Sequence, residues 1–408
     1  MKTNSRSLPF LLCVLVMLFG TALRVIDMGS VRFRSPDENV YASQAQKWSA
    51  SGIRSVADEW ENRTELAVFP SPVRIGYLLP LRIAQAITGD ATPNAGAELS
   101  CVASILSLGL VGVIAWRNLS PTAAPIAMAL FAVCPPELMA ARRAWMESFT
   151  GCLGTLLLLL MLECLRRSEP RAWLVAAGAL AGWTVTVKET SVSQAGLLLL
   201  LLCIAYVRQQ RWRDIAIATA VFAVTATLGA WWVSYSIGGY NRTVEFFHRS
   251  YTAVANAPYG RMYETGTAAS WIKAIWIADP LLVSLAVIGI ALLIANRNTL
   301  LFWSAATSLL CFSLPLTTEH RMNLRYASLG WVPLCFLAAA ATVALWQWLK
   351  RHASTKEQLW AKGFAIVVFC LALVANYMSF RERFVSTDLQ DLSLRMVLNR
   401  PLPITPER

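Results

Sequence analysis

Apolar runs long enough to cross a bilayer recur along the whole chain, and this feature limits its fold more than any other. Of its 408 residues, 56% are hydrophobic and 15% are charged. A soluble domain has too little interior to bury so much apolar surface. The sequence therefore predicts an all-α, polytopic integral membrane protein.

The length of the runs predicts about eleven transmembrane helices. They cover residues 8–26, 98–116, 121–135, 149–165, 171–187, 192–207, 214–235, 281–296, 299–315, 327–349 and 363–380. The first run follows Lys2 and Arg6 but has no small-residue cleavage site after it. We therefore expect an uncleaved first helix rather than a signal peptide.

The segment 73–88 is apolar but short, and it contains Arg74, Pro80 and Arg82. If it does not span and the N-terminus is cytoplasmic, every strongly basic short loop lies inside, as the positive-inside rule requires. We therefore predict an interfacial or re-entrant helix on the outer face of the plasma (inner) membrane. The transmembrane domain then covers 1–380, with outer loops at 27–97 and 236–280 and an outer C-terminal tail at 381–408.

Composition argues against several other kinds of function. The net charge is +12, but the basic residues lie in short loops between spans, so we expect no nucleic-acid partner. The nine cysteines fall in or beside apolar runs without a CxxC pair, and the three histidines are not clustered. No metal ligands or cofactor are therefore predicted, although a requirement for a divalent metal stays open.

The stretch "RSPDENVY" follows the first span and brings two adjacent acids to the outer face. Ser35 as N-cap, Pro36 at the first helical position and Glu38 at the third are typical of a helix start. The acids can therefore be a helix cap or a catalytic pair. The two roles are compatible if Glu38 completes the cap while Asp37 faces a cavity.

A second outer acid, Glu147, follows Arg142 and Arg143 at the start of a span. Glu147 can simply cap that helix, with the arginines extending to the membrane surface. Arg143 and Glu147 are also four residues apart, the spacing of an ion pair on a helix.

Positive groups accumulate on the outer side, against the usual orientation bias. Lys188 lies between two spans, and Arg321 and Arg325 precede another. An anionic ligand such as a phosphate would explain them. The alternative is an ion-pair network of Arg321 and Arg325 with Glu264 and Glu319.

Outer carboxylates and cations beside lipid-facing helices suit transfer from a lipid phosphate. Arginines can hold the phosphate of a polyprenyl-phosphate sugar while its tail lies against the spans. A carboxylate can take the proton of an acceptor hydroxyl as that hydroxyl attacks the sugar carbon, which inverts the anomeric centre.

Four segments, in this order, resemble motifs of membrane glycosyltransferases of the GT-C class. They are "SPDENVYASQAQKW", "ARRAWMESFTGCLGTL", "AGWTVTVKETSV" and "LRYASLGWVPL". The branch they resemble contains protein O-mannosyltransferases and aminoarabinose transferases, which use polyprenyl-phosphate sugars. The resemblance covers most of residues 8–205 and becomes weaker after that.

The resemblance implies roles for particular residues. Asp37 matches the general base, with Glu38 beside it, Glu147 matches the second acid, and Arg325 matches the late arginine. Glu147 stands where aspartate is usual, and "FPSPVRIGY" replaces a K-P-P-L segment, so Arg74 would substitute for the missing lysine. The resulting candidates are catalytic Asp37, Glu38 and Glu147, and phosphate-binding Arg74, Lys188, Arg321 and Arg325.

The loop 236–280 is rich in tyrosine, glycine, histidine and arginine, and we expect it to cover the cavity unless it is an ordinary amphipathic surface helix. The candidates for contacts to sugar or acceptor are Tyr41, Arg143, His248, Tyr259, Arg261, His320 and Tyr326.

The sequence thus predicts a transferase that moves a sugar from a polyprenyl-phosphate donor to an unidentified acceptor on the outer face. A lipid or glycolipid flippase is the alternative, since it also needs charge within the membrane. A non-catalytic subunit is a third possibility, which the two intact acids disfavour.

Overall fold

The computed structural model describes residues 7–26, 28–62, 70, 72–295, 298–317, 321–352, 355–387 and 389–399. Its helices in chain order are α1 (Ser7–Ile26), α2 (Pro36–Glu61), α3 (Ile75–Thr88), α4 (Pro93–Asn118), α5 (Ala123–Ala132), α6 (Pro135–Ala141), α7 (Met146–Arg166), α8 (Arg171–Val187), α9 (Thr190–Arg208), α10 (Trp212–Ile237), α11 (Tyr240–Asn256), α12 (Pro258–Tyr263), α13 (Ala268–Ala278), α14 (Pro280–Ala295), α15 (Thr299–Ser313), α16 (Trp331–His352), α17 (Thr355–Phe380) and α18 (Leu394–Val397).

The prediction of an all-α polytopic membrane protein is confirmed. Within the described residues, eight helices are long and apolar enough to span a membrane, and two bent pairs bring the number to 10. The shorter apolar helix α8 is the remaining predicted span. Each predicted span therefore coincides with a helix or a bent pair of helices.

Two predicted spans, 121–135 and 281–296, each belong to a bent pair of helices. The axes of α5 and α6 meet at 63°, and those of α13 and α14 meet at 109°. At the second break, Asp279 caps α14 through the N–H of Leu282 (2.9 Å) and accepts a hydrogen bond from Asn376 of α17 (2.7 Å). The predicted spans end at 135 and begin at 281, so α6 and α13 are the arms of these pairs that the predicted spans leave out.

Helix α3 corresponds to the predicted segment 73–88. Its 14 residues rise about 21 Å, less than the roughly 30 Å of a bilayer core. It packs tightly at one end of the bundle, because a Cβ on Gly76 would lie 2.1 Å from the hydroxyl oxygen of Thr186 at the end of α8. The indole N–H of Trp183 donates to the Gly76 carbonyl (3.1 Å) and holds the two helices together.

The C-terminal residues return to the helix bundle. Leu324 N–H donates to the Leu392 carbonyl (3.0 Å), and Leu394 N–H donates to the Met322 carbonyl (2.9 Å). An antiparallel bridge joins Asn323 to Ser393 between them. The described part of the predicted tail is therefore docked beside the segment that carries Arg325.

Candidate active site

The two adjacent acids at the start of α2, Asp37 and Glu38, lie in different surroundings. Ser35 is the N-cap and Pro36 begins the helix, as predicted. Glu38 is fully buried, and both of its oxygens accept hydrogen bonds: from Ser35 N–H (2.6 Å), Ala144 N–H (2.8 Å), Arg143 (3.1 Å) and Arg34 (3.2 Å). Glu38 therefore fastens the helix start to the turn before α7.

Burial by itself raises the pKa of Glu38. Arg143 and the backbone N–H groups of Ser35 and Ala144 outweigh that effect, so the pKa lies below its usual range. Glu38 is thus ionised, and both of its carboxylate oxygens are hydrogen-bonded.

Asp37, one residue earlier, is partly exposed and lies 3.5 Å from Nη2 of Arg325. Burial raises the pKa of Asp37, while Arg325 and Arg74 act in the opposite direction. A carboxylate with a raised pKa is a better base than an ordinary aspartate.

Glu147 joins the two cations of the site. Its Oε1 accepts from Nζ of Lys188 (3.1 Å) and from Nε of Arg325 (3.3 Å). Among the described residues, no donor reaches its buried Oε2. Lys188 thus has a buried acidic partner, and burial lowers the pKa of Lys188 against the effect of Glu147.

Arg143 and Glu147 do not share a helix, contrary to the i,i+4 spacing noted in the sequence. Because α7 begins at Met146, Arg143 lies in the preceding turn. It donates to the Phe33 carbonyl (2.9 Å) and to Glu38 (3.1 Å). Arg143 therefore stabilises the N-terminal end of α2.

Arg74, the residue before α3, pairs with Glu189 through Nη2 (2.9 Å) and Nε (3.2 Å). Its Nη1 also donates to the hydroxyl of Tyr41. Arg74 contributes to the charges around Asp37, so it belongs to the same region as Arg325. Tyr326 lies there too, with its ring centroid 5.8 Å from Nζ of Lys188.

The candidates from the loop 236–280 are more dispersed. The Tyr259 hydroxyl donates to Asp391, whereas His248 and Arg261 have exposed side chains. Arg321 stacks 4.3 Å from the ring centroid of Tyr251 in α11. His320 and Glu319 lie outside the described residues.

Asp391 is the acid that sequence reasoning missed. Its Oδ1 lies 3.7 Å from Nη1 of Arg325, and its Oδ2 accepts from Asn323 (2.9 Å). Asn323 also donates to Glu264 (2.7 Å), and burial and the nearby Asp391 raise the pKa of Glu264 to about 8. No local pattern marks Asp391, because the docking of the C-terminal segment places it in the site.

A small cavity is lined in part by these charged residues. Two indole side chains, Trp145 and Trp331, and two acids, Glu137 and Glu147, contribute to its wall together with Arg325. The Arg325 guanidinium lies 4.0 Å from the ring centroid of Trp145, which holds it at the cavity edge. Within the described residues, no group of three or more His, Cys, Asp or Glu side chains could hold a metal ion.

No family model and no curated protein matches this chain. Solved structures match most of it. The crystal structure of ArnT from Cupriavidus metallidurans in the apo state is 14% identical, with a TM-score of 0.64 over 95% of this chain and 84% of that one. The structure of ArnT bound to undecaprenyl phosphate gives a TM-score of 0.61 at 14% identity over 95% and 85% of the two chains.

The archaeal oligosaccharyltransferase AglB from Archaeoglobus fulgidus also matches, in complex with an inhibitory peptide and a dolichol-phosphate. It is 13% identical, with a TM-score of 0.55 over 92% of this chain and 56% of that one. ArnT and AglB are both GT-C glycosyltransferases. At such low identity these matches establish the fold, so the chain has the fold of this class.

Proposed function

Given this fold, we propose that the protein is a glycosyltransferase that moves a sugar from a polyprenyl-phosphate donor to an acceptor on the outer face of the inner membrane. One observation carries the proposal. Asp37, Glu147, Lys188 and Arg325 come from distant parts of the chain and converge at one end of a membrane bundle. ArnT has been solved with undecaprenyl phosphate and AglB with a dolichol-phosphate, which supports a lipid-phosphate donor.

Asp37 is the proposed general base. It takes the proton of an acceptor hydroxyl while the hydroxyl oxygen forms a bond to the anomeric carbon. The bond from that carbon to the phosphate oxygen breaks, and its electron pair leaves with the polyprenyl phosphate. Attack opposite the leaving group inverts the anomeric centre.

Lys188 and Arg325 are the proposed phosphate ligands, with Arg74 beside them. Their positive charge stabilises the negative charge that grows on the leaving phosphate. Glu147 contacts both Lys188 and Arg325 through one oxygen, so it orients the pair and leaves Oε2 available to a hydroxyl of the substrate. In the structure each cation contacts a carboxylate, which keeps the site neutralised until the donor enters.

The test is the substitution Asp37→Asn. We expect it to lower transfer by at least about 100-fold, since general-base catalysis contributes roughly 10²- to 10⁴-fold. The measurement uses purified protein in nanodiscs with a panel of polyprenyl-phosphate sugars and detects both transfer and donor hydrolysis.

Asp58→Asn is the matched control, because Asp58 is an exposed residue beyond the Gly52 kink of α2 and pairs with Arg242. It should leave turnover unchanged. Near-normal turnover by a folded Asp37→Asn variant would contradict the assignment of the base. A cavity open to both sides of the membrane during turnover would favour a flippase.

A further inference from the structure

Three carboxylates surround the guanidinium of Arg325, one near each nitrogen. Nε lies 3.3 Å from Glu147, Nη2 lies 3.5 Å from Asp37, and Nη1 lies 3.7 Å from Asp391. The distances to Asp37 and Asp391 are at or beyond the limit of a hydrogen bond. Arg325 is therefore shared among three acids, with a hydrogen bond to Glu147 and looser contacts to Asp37 and Asp391.

The segment 389–399 positions Asp391 firmly. Its Oδ2 accepts hydrogen bonds from the Tyr259 hydroxyl and from Asn323. The antiparallel bridge between Asn323 and Ser393 holds the backbone on either side of the acid. Within the described residues, the buried Oδ1 has no hydrogen-bond donor, although it faces Arg325. An oxygen held this way acts on Arg325 through its charge.

Charged residues from four separate parts of the chain shift the pKa of Asp37. Arg325 and Arg74 lower its pKa, while Asp391 and Glu147 raise it along with burial. Asp391 also attracts the Arg325 guanidinium, which would otherwise stabilise the ionised form of Asp37. Both effects act in one direction and make Asp37 a stronger base.

We propose that Asp391 is a positioning residue that keeps Asp37 basic by competing with it for Arg325. The inference rests on the proposed function, in which Asp37 takes the acceptor proton. Asp391 itself touches neither the acceptor hydroxyl nor the reacting carbon. The C-terminal segment thereby sets the proton affinity of a base more than 350 residues earlier in the chain.

The substitution Asp391→Asn tests the inference through the pH dependence of kcat. The active form of Asp37 is ionised, so kcat rises as pH increases through its pKa. Removing the charge of Asp391 lowers that pKa, and the acidic limb should move to lower pH by about 0.5 to 1 unit. A weaker base should also lower the plateau of kcat by roughly threefold to tenfold.

A merely structural role for Asp391 would reduce the amount of active protein without moving the limb. Asp391→Glu retains the charge and should restore a limb near that of the wild type. Asp58→Asn, the same chemical change at an exposed position, should leave the limb unmoved. If Asp391→Asn does not fold, Asp391→Ser removes the charge with a smaller side chain and carries the same test.

The outcomes separate the inference from the proposed function. An unshifted limb in folded Asp391→Asn overturns the inference, even where Asp37→Asn is inactive. Full activity of Asp37→Asn overturns the proposed function instead. A limb that shifts to higher pH would show that Asp391 stabilises ionised Asp37, which also contradicts the inference.

Discussion

Asp37 and Glu38 are adjacent in sequence, yet α2 turns them toward different surroundings. Glu38 accepts four hydrogen bonds in a fully buried place, whereas Asp37 keeps a loose contact with Arg325. The helix-start pattern predicts the capping role of Glu38. It does not show that Arg143 and Ala144 also bind Glu38, because these contacts join residues more than 100 positions apart.

Glu38→Gln should destabilise the fold. The change removes the charge from a buried acid beside Arg143 and Arg34, so we expect a loss of roughly 2 to 4 kcal/mol in the free energy of unfolding. Unfolding in mixed micelles at neutral pH measures it. Glu59→Gln is the matched control, because Glu59 is an exposed residue beyond the Gly52 kink of α2 and pairs with Lys47.

The loss in the free energy of unfolding of Glu38→Gln should depend on pH. Because the pKa of Glu38 is lower in the folded state, its contribution is present above the unfolded value of about 4.3 and disappears as pH falls through the folded value. The difference between wild type and Glu38→Gln should therefore shrink in acid. A difference that grows toward low pH would contradict this account.

At the scale of helices, α3 shows what close packing requires. It brings Arg74 to the site only if its backbone approaches the end of α8, and glycine at position 76 permits this approach. The sequence predicts a short helix that does not span, from its length, its proline and its arginines. It does not predict the contact with Thr186, which depends on the arrangement of α8.

Gly76→Ala should displace α3 and with it Arg74. A Cβ would lie 2.1 Å from Thr186 Oγ1 and 2.9 Å from the Thr186 backbone carbon, so the helices must separate. We expect transfer to fall by roughly tenfold or more, since small displacements at an active site cost about that much. Gly196→Ala is the control, because a Cβ at Gly196 meets nothing within 4 Å.

The measurement compares initial transfer rates at equal amounts of folded protein, together with the midpoint of thermal unfolding. Gly196→Ala should match or slightly exceed the stability of wild type, as alanine favours helix over glycine. Wild-type rates in Gly76→Ala would show that α3 does not position the site.

At the scale of the whole molecule, charged clusters among the described residues lie at both ends of α7. Helix α7 carries Glu147 at its first turn and Glu163 about 24 Å further along its axis. Buried Glu163 pairs with Arg117 (3.1 Å), Arg166 (3.4 Å) and Arg167 (3.8 Å). The end of the bundle opposite the site is therefore rich in arginine, which favours a cytoplasmic location.

Reporter fusions test this orientation. We expect alkaline phosphatase to be active after Gly89 and after Arg408, and a green fluorescent reporter to fluoresce after Arg208. The Gly89 fusion is decisive for α3, since a spanning α3 would carry that position to the cytoplasm. Phosphatase activity after Arg208 would reverse the proposed topology, and the site would then face the cytoplasm.

At this scale the sequence predicts the spans well, because each needs only enough apolar length. It predicts five of the acids and cations that lie together in the site, from charge on the outer side and from motif resemblance: Asp37, Arg74, Glu147, Lys188 and Arg325. Neither the outer charge pattern nor the motif resemblance predicts Asp391. Its segment is predicted only as a short outer tail. The backbone and side-chain hydrogen bonds that dock it join residues far apart in the sequence, so no local pattern reveals them.

The docking of residues 389–399 also has a consequence for synthesis. Asp37 is made 354 residues before Asp391, which at roughly 5 to 20 residues per second is on the order of 20 to 70 seconds. The helices can enter the membrane one after another during that time, but the surroundings of Arg325 stay incomplete until residues 389–399 arrive. A ribosome-bound chain stalled before this segment should therefore insert and yet catalyse poorly.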